Sequence, residues 1–209
     1  MTNTPDLPAP LAGNLDVPPS VWAGSHRVEE QLPEGLIAVY TRPQGLILDT
    51  TGTALLPAIT AGRRCIAFVP TDPTTLLDTT EQRALGQIRL VDPDDLPTAV
   101  SAYTDEADLV IATSDAAHSP GWWPAVRGAL RTGGHLAVMC ATPDSHAGIV
   151  TGAAAVGLAF TQHLVTVSGA VLDEAVTTEA NLNDRKRRRR AHTRSHRDVY
   201  VFANPRRPV

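Results

Sequence analysis

Asp49-Thr50-Thr51-Gly52-Thr53 is the stretch of this chain whose residue types and spacing first suggest chemistry. It follows Gly45-Leu46-Ile47-Leu48, a run without polar alternation that suits a strand covered on both faces of a sheet. Asp49 then falls at the carboxyl end of that strand, Gly52 can take a backbone conformation closed to other residues, and Thr53 is placed to cap a following helix. Open α/β sheets bind small ligands at the carboxyl ends of their strands, where helix N-termini present free N–H groups. The stretch predicts a site for a nucleotide-like ligand; the plainer alternative is an ordinary strand-to-helix turn.

A second chemical feature lies far downstream. Arg185, Lys186, Arg187, Arg188, Arg189 and Arg190, with Arg194 and Arg197, place eight positive charges within 13 residues. Such density close to phosphates supplies sequence-independent affinity through counterion release. It serves equally as a solvated loop that compensates an acidic body. No aromatic residue interleaves the arginines, so stacking on single-stranded bases is not indicated, and RNA fits as well as DNA.

Other chemistries find little support. The chain has no Gly-x-Gly-x-x-Gly for a dinucleotide and no Gly-x-Ser-x-Gly for a hydrolase elbow. Its seven histidines show no metal-ligand spacing; His192 and His196 stand four apart, but among arginines that repel a cation. No metal is expected. Cys65 and Cys140 both fall in apolar runs without a Cys-x-x-Cys pair and read as buried free thiols. Lys186 is the single lysine beside seventeen arginines, which leaves the body without a phosphate-loop lysine or a Schiff base.

The 209 residues, 43% of them hydrophobic, suit one globular domain with a real core. No apolar run approaches the roughly 20 residues that cross a membrane. Met1 to Ser20, rich in Pro, Thr and Asp, reads as a flexible lead-in and not as a secretory signal, which makes the cytoplasm the expected location. Net charge is −4, unevenly spread: eight basic and twenty-one acidic residues lie up to position 184, ten basic and one acidic beyond it.

The elements that must position these residues follow from periodicity. Val28, Leu32, Leu36, Ile37 and Tyr40 give a helical spacing between Val21 and Thr41, with Pro33 expected to kink or interrupt it. A helix from Thr53 to Ala61 ends at Gly62. Further strands are expected at Cys65–Val69, Ile88–Val91, Asp108–Ala112, His135–Cys140, Leu158–Val171 and Val199–Phe202, with helices over Pro73–Ala84, after Asp95, after Pro120 and over Ala147–Ala155. This alternation predicts a mostly parallel sheet with helices on both faces. The last two strands, joined by a basic loop, predict an antiparallel hairpin at a sheet edge.

Seven strands with a terminal hairpin resemble the class I S-adenosylmethionine-dependent methyltransferases. More narrowly, the chain is similar to an actinobacterial branch of the DNA amino-methyltransferases. The matching pieces are Ile37-Ala38-Val39-Tyr40-Thr41 before Pro43-Gln44-Gly45-Leu46-Ile47-Leu48-Asp49, Gly62-Arg63-Arg64, Asp108 to Ser114, Leu130 to His135, and His196-Arg197-Asp198-Val199-Tyr200-Val201-Phe202. The resemblance covers roughly Trp22 to Asn204 and implies a single Rossmann-like α/β domain over residues 21–204, with the basic loop at 184–197 and a tail at 205–209. It implies S-adenosylmethionine as methyl donor, held by Thr41, Asp49, Thr50, Gly52 and Asp72. Ser114 or Asp115 would accept from the target amino group of a flipped base.

Where the family carries Asp-Pro-x-x-Gly-x-Gly, this chain keeps one glycine; where the family carries a ribose-binding acid, it has Val69 and Pro70, with Asp72 the nearest acid. Ser114-Asp115-Ala116-Ala117-His118 stands where the family has Asp, Asn or Ser followed by Pro-Pro-Tyr or similar, and His118 reads as a solvent-facing loop residue. Two functions remain in view. One is a methyltransferase of DNA-methylase type with weakened motifs; the other is an inactive relative that binds nucleic acid or a protein partner through its arginine-rich loop.

Overall fold

A computed structural model describes residues 19–24, 28–71, 80–140, 146–168 and 196–205. Asp72, Arg185 to Arg190 and Arg194 lie outside the described residues, so the donor and nucleic-acid roles expected of them stay expectations.

Among the described residues, eight strands form one sheet. They are β1 (Pro19–Gly24), β2 (Leu46–Asp49), β3 (Arg64–Val69), β4 (Gly86–Leu90), β5 (Ala107–Thr113), β6 (Leu130–Cys140), β7 (Ala159–Ser168) and β8 (His196–Ala203). Six helices connect them: α1 (Val28–Tyr40), α2 (Leu55–Thr60), α3 (Thr80–Leu85), α4 (Leu96–Ser101), α5 (Trp122–Ala129) and α6 (His146–Ala155). The spatial order is β1-β7-β8-β6-β5-β2-β3-β4. β8 runs antiparallel to both its neighbours, and the remaining pairings are parallel.

Continuous apolar runs explain the central strands. β2 is buried at all four residues, and Asp108 to Ala112 in β5 are fully buried, as strands covered on both faces require. Two core clusters fill the two faces. Leu32, Leu36 and Ile37 of α1 join Leu55 and Ala58 of α2 against Ile47, Leu109 and Ile111. On the other face Trp122 and Val126 of α5, with Val100 of α4 and Ile149 of α6, cover Leu48, Val110 and Val138. Cys65 and Cys140 are buried free thiols, as their apolar settings suggest.

The structure corrects three expectations. The sheet has an eighth strand: Pro19–Gly24 pairs parallel with β7, so the segment from Val21 is extended and the helix starts only at Val28. That helix runs unbroken through Pro33. The β7–β8 pair is antiparallel but not at the edge, because β8 inserts between β6 and β7 and β1 closes that side.

Beside this insertion α6 begins on a histidine cluster. His163 Nε2 lies 3.0 Å from Asp198 Oδ1, and the His146 ring sits 4.6 Å from the Tyr200 ring and 6.3 Å from that of His163. His146 Nδ1 is buried and unpartnered among the described residues. Burial, then the neighbouring His163, push its basicity below the ordinary histidine value, against the pull of Asp198. The unfolded chain therefore binds more protons at this position below about pH 6.5, so stability falls as pH drops through that value. His135 adds to the trend, lowered first by burial and then by Arg131. The urea midpoint should decline from pH 7.5 to 5.5, and H146F should flatten the decline.

Candidate functional site

The sheet order reverses at β2 and β5: the chain moves outward from β2 through β3 to β4, then returns to β5 and proceeds through β6 the other way. Adjacent strands whose connections diverge leave a crevice above their carboxyl ends. Two crowns line it, Thr50 to Ala54 after β2 and Ser114 to His118 after β5. They rise from adjacent strands, and the Thr50 amide of the first crown donates to the carbonyl of Ile111 within β5 at 2.9 Å. The Thr50 hydroxyl donates to the same oxygen at 3.3 Å.

Asp49 organises the first crown. Its Oδ1 accepts from the Thr51 amide at 2.8 Å and from the Thr51 hydroxyl at 2.6 Å, and its Oδ2 accepts from the Ala54 amide at 2.8 Å. The side chain is completely buried. Burial raises its carboxyl above the ordinary value, opposed by the hydrogen bonds from Thr51, Ala54 and Gly52. Asp49, not Thr53, is the side chain that holds the main chain just ahead of α2, through the Ala54 amide. Helix α2 starts after Ala54 with no capping side chain at that position, while Thr53 Oγ1 contacts Thr51 Oγ1 at 2.6 Å. Gly52 closes the turn at φ +74°, where a side chain is strained, and a Cβ there would lie 3.3 Å from Val69 Cγ1. The loop therefore reaches across to the end of β3.

On the second crown, the Ser114 amide donates to the Met139 carbonyl at 3.0 Å, tying the loop to β6. Ser114 is 5% exposed, and Asp115 beside it is exposed. Ala116–His118 forms one turn of 3-10 helix, with the His118 amide donating to the Asp115 carbonyl at 3.1 Å. His118 Nδ1 lies 2.6 Å from the Ser114 carbonyl oxygen. Sequence reasoning left His118 as a loop residue; the Ser-x-x-x-His spacing at a strand crown was the signal available.

Asp49, Thr50, Gly52, Ser114 and Asp115 therefore share one rim. Thr41 does not. Its hydroxyl donates to the Ile37 carbonyl at 2.6 Å and accepts from Arg63 Nε at 3.2 Å, just ahead of β3. β2 pairs with β3 from Leu46 opposite Arg64 to Asp49 opposite Ala67, so Thr41 sits at the amino end of the sheet, away from the crevice. A cavity of about 520 Å³ also lies at that end, lined by Leu46, Arg64, Cys65, Arg83 and Gln87, and shares no residue with either crown.

A methyl-donor nucleoside would meet the main chain at Gly52 with its methionine half; α2 adds few donors there, since it has six residues with Pro57, which lacks an N–H, in its first turn. At the ribose half, the end of β3 is Val69 and Pro70, neither of which accepts a hydroxyl through its side chain. Among the described residues no group of three or more His, Cys, Asp or Glu side chains is placed to hold a metal ion, and no helix is long and apolar enough to cross a membrane.

No protein-family model matches the sequence, and no curated protein matches it. Solved structures do match. One, from Galdieria sulphuraria and described as a candidate sarcosine dimethylglycine methyltransferase, superposes with a TM-score of 0.51 at 10% identity over 85% of each chain. A TehB-like SAM-dependent methyltransferase from Corynebacterium glutamicum gives 0.50 at 15% identity, covering 81% of this chain and 85% of that one. TrmN from Thermus thermophilus gives 0.50 at 15% identity over 83% of this chain, which spans about half (48%) of the TrmN chain. At these identities the likeness is one of fold. The chain is a single α/β domain of Rossmann-like, class I methyltransferase architecture, with a mostly parallel sheet and an antiparallel β8.

Proposed function

We propose that the crevice between the β2 and β5 crowns binds S-adenosylmethionine and that the chain is a methyltransferase acting on an amino group, with DNA as the acceptor that the sequence resemblance favours. The observation that carries this reading is the switch point itself, where the two crowns rise from adjacent parallel strands, with the Thr50 amide on the Ile111 carbonyl of β5 and the positive-φ turn at Gly52 beside it. Asp49, Thr50 and Gly52 shape the donor side, and Ser114 and Asp115 face the acceptor side. When bound, the donor supplies an electrophilic methyl group; the chain's own part is to hold and orient both reactants. Support for a nucleic-acid partner comes from placement. β7 ends at Ser168 and β8 begins at His196, with Val167 opposite His196, so the two strand ends that flank the segment 169–195 lie on the crevice side of the sheet. That segment includes Arg185 to Arg194.

A second reading, an inactive relative that keeps the fold, draws on the full occupation of the Asp49 carboxylate within its own loop and on Val69 at the end of β3. Calorimetric titration with S-adenosylmethionine separates the two. Saturable heat is expected. No heat at about millimolar donor, which corresponds to less than roughly 4 kcal/mol of binding, would remove the enzyme reading and leave the second. A salt-dependent mobility shift on DNA, abolished by replacing Arg187 to Arg190 with alanine, is the expected sign of the basic segment's role.

A further inference from the structure

We propose that His118 is the proton acceptor of the crevice, an assignment that rests on the methyltransferase reading above. The β5 crown presents its ring in a defined state. Ser114 is held by the sheet because its amide donates a hydrogen bond to the Met139 carbonyl, so its own carbonyl is a fixed acceptor. His118 Nδ1 stands 2.6 Å from that carbonyl oxygen. A carbonyl accepts and cannot donate, so Nδ1 carries the hydrogen. In the neutral ring Nε2 then holds a lone pair, the tautomer a base requires. The amide of His118 is tied to Asp115 as well, so both main chain and ring of this exposed residue are anchored to the rim that carries Ser114 and Asp115. A base oriented by a second group, on the strand crown next to the donor loop, is the arrangement that proton removal from a nucleophile needs.

The step balances as follows. The acceptor nitrogen's lone pair forms the new bond to the methyl carbon, and the sulfur–methyl bond breaks with its electron pair staying on sulfur. The proton that the acceptor sheds passes to His118 Nε2. The positive charge of the sulfonium thus ends as an imidazolium, whose Nδ1–H still donates to Ser114. His118, among the residues of the β5 crown, combines exposure with a fixed lone pair; the Ser114 side chain is nearly buried.

Two variants of the full-length chain divide a base from a turn clamp. In H118N the side-chain amide nitrogen can keep the bond to Ser114 while no lone pair replaces Nε2; H118A loses both. Donor affinity is read by calorimetry, and transfer is read from tritiated S-adenosylmethionine into unmethylated plasmid DNA and bulk transfer RNA. Both variants should bind donor as the parent does, and both should lose about 100-fold or more in kcat. Full transfer by H118N with impaired H118A would overturn the proposal and make the ring a clamp. Donor binding by the parent without transfer to either acceptor overturns it too, while leaving donor binding intact; a parent that binds no donor takes down the methyltransferase reading and this one together. Nitrogen-15 spectra of the donor-free chain give an independent readout. An unprotonated Nε2 at His118 is expected, and a protonated Nε2 on the neutral ring overturns the assignment.

Discussion

Gly45→Ala is expected to cost about 3–5 kcal/mol and to leave little folded protein at physiological temperature, although it adds one methyl group at the start of β2. A Cβ at position 45 would overlap Asp108 Oδ2 and lie 2.8 Å from Asp108 Cγ and 2.9 Å from the Arg42 carbonyl oxygen. None of these can move cheaply. Asp108 is completely buried, its Oδ1 accepts from Arg131 Nε, and Arg42 Nε approaches the same oxygen at 3.4 Å. Overpacking alone costs about 1–3 kcal/mol, and breaking a buried ion pair costs about 3–5 kcal/mol when one charge is left uncompensated. Arg131 keeps 26% of its side chain exposed, so water recovers part of the second cost, and the sum falls within the stated range. A domain of this kind has about 5–15 kcal/mol in total, so the loss is a large fraction.

Urea unfolding followed by the fluorescence of buried Trp122 measures the effect. Gly128→Ala is the control: nothing lies within 4 Å of the added methyl and the residue is inside α5, so stability should stay level or rise by about 0.5–1 kcal/mol. Shortening the carboxylate makes the cause explicit. In a Gly45→Ala, Asp108→Ser double variant the methyl has room, and the two costs should be strongly non-additive. Additive losses would mean that the methyl group harms the fold by some route other than Asp108.

How far the sequence revealed this molecule depended on whether a feature was local. β2, β3, β5 and β6 could be located because unbroken apolar runs between turn residues specify a covered strand whatever its neighbours are. β1 could not. Pro19-Ser20-Val21-Trp22-Ala23-Gly24 has no strand signature of its own and is extended because β7 lies alongside, with Pro19 opposite His163 and Gly24 opposite Ser168. The insertion of β8 was invisible for the same reason, since chain order does not fix sheet order. Thr41 shows a different failure. The family resemblance assigns it to the donor, yet a residue preceding a strand belongs at that strand's amino end, and Arg63 holds it there. At the crowns, residue types were legible and partners were not. Gly52 and Asp49 stood out at once; that Asp49 would spend both oxygens on its own loop, and that the Ser114 carbonyl would fix the His118 ring, are facts of three-dimensional placement.

The occupation of Asp49 carries the other large expected effect. Asp49→Ala leaves the Thr51 and Ala54 amides without their acceptor, and Ala54 is fully buried. Each orphaned buried donor costs about 1–3 kcal/mol, and the relief of burying a carboxylate offsets part of that, so a net loss of about 2–3 kcal/mol is expected. Asp49→Asn should cost less, about 1 kcal/mol, because one oxygen still accepts. The acid range distinguishes the two variants from the parent. A carboxyl raised above its ordinary value in the folded chain binds protons more readily there than in the unfolded chain. Its contribution to stability is therefore present in acid and lost as pH rises from the ordinary carboxylate value through the folded one, and the asparagine variant should lack that segment of the pH–stability curve. Amide exchange at Thr51 and Ala54 reads the loop without any ligand. Faster exchange confined to the β2 crown in Asp49→Asn would identify Asp49 as the clamp that holds Gly52 open to the crevice; unchanged protection would mean that the turn closes by itself and that the acid stands free for another task.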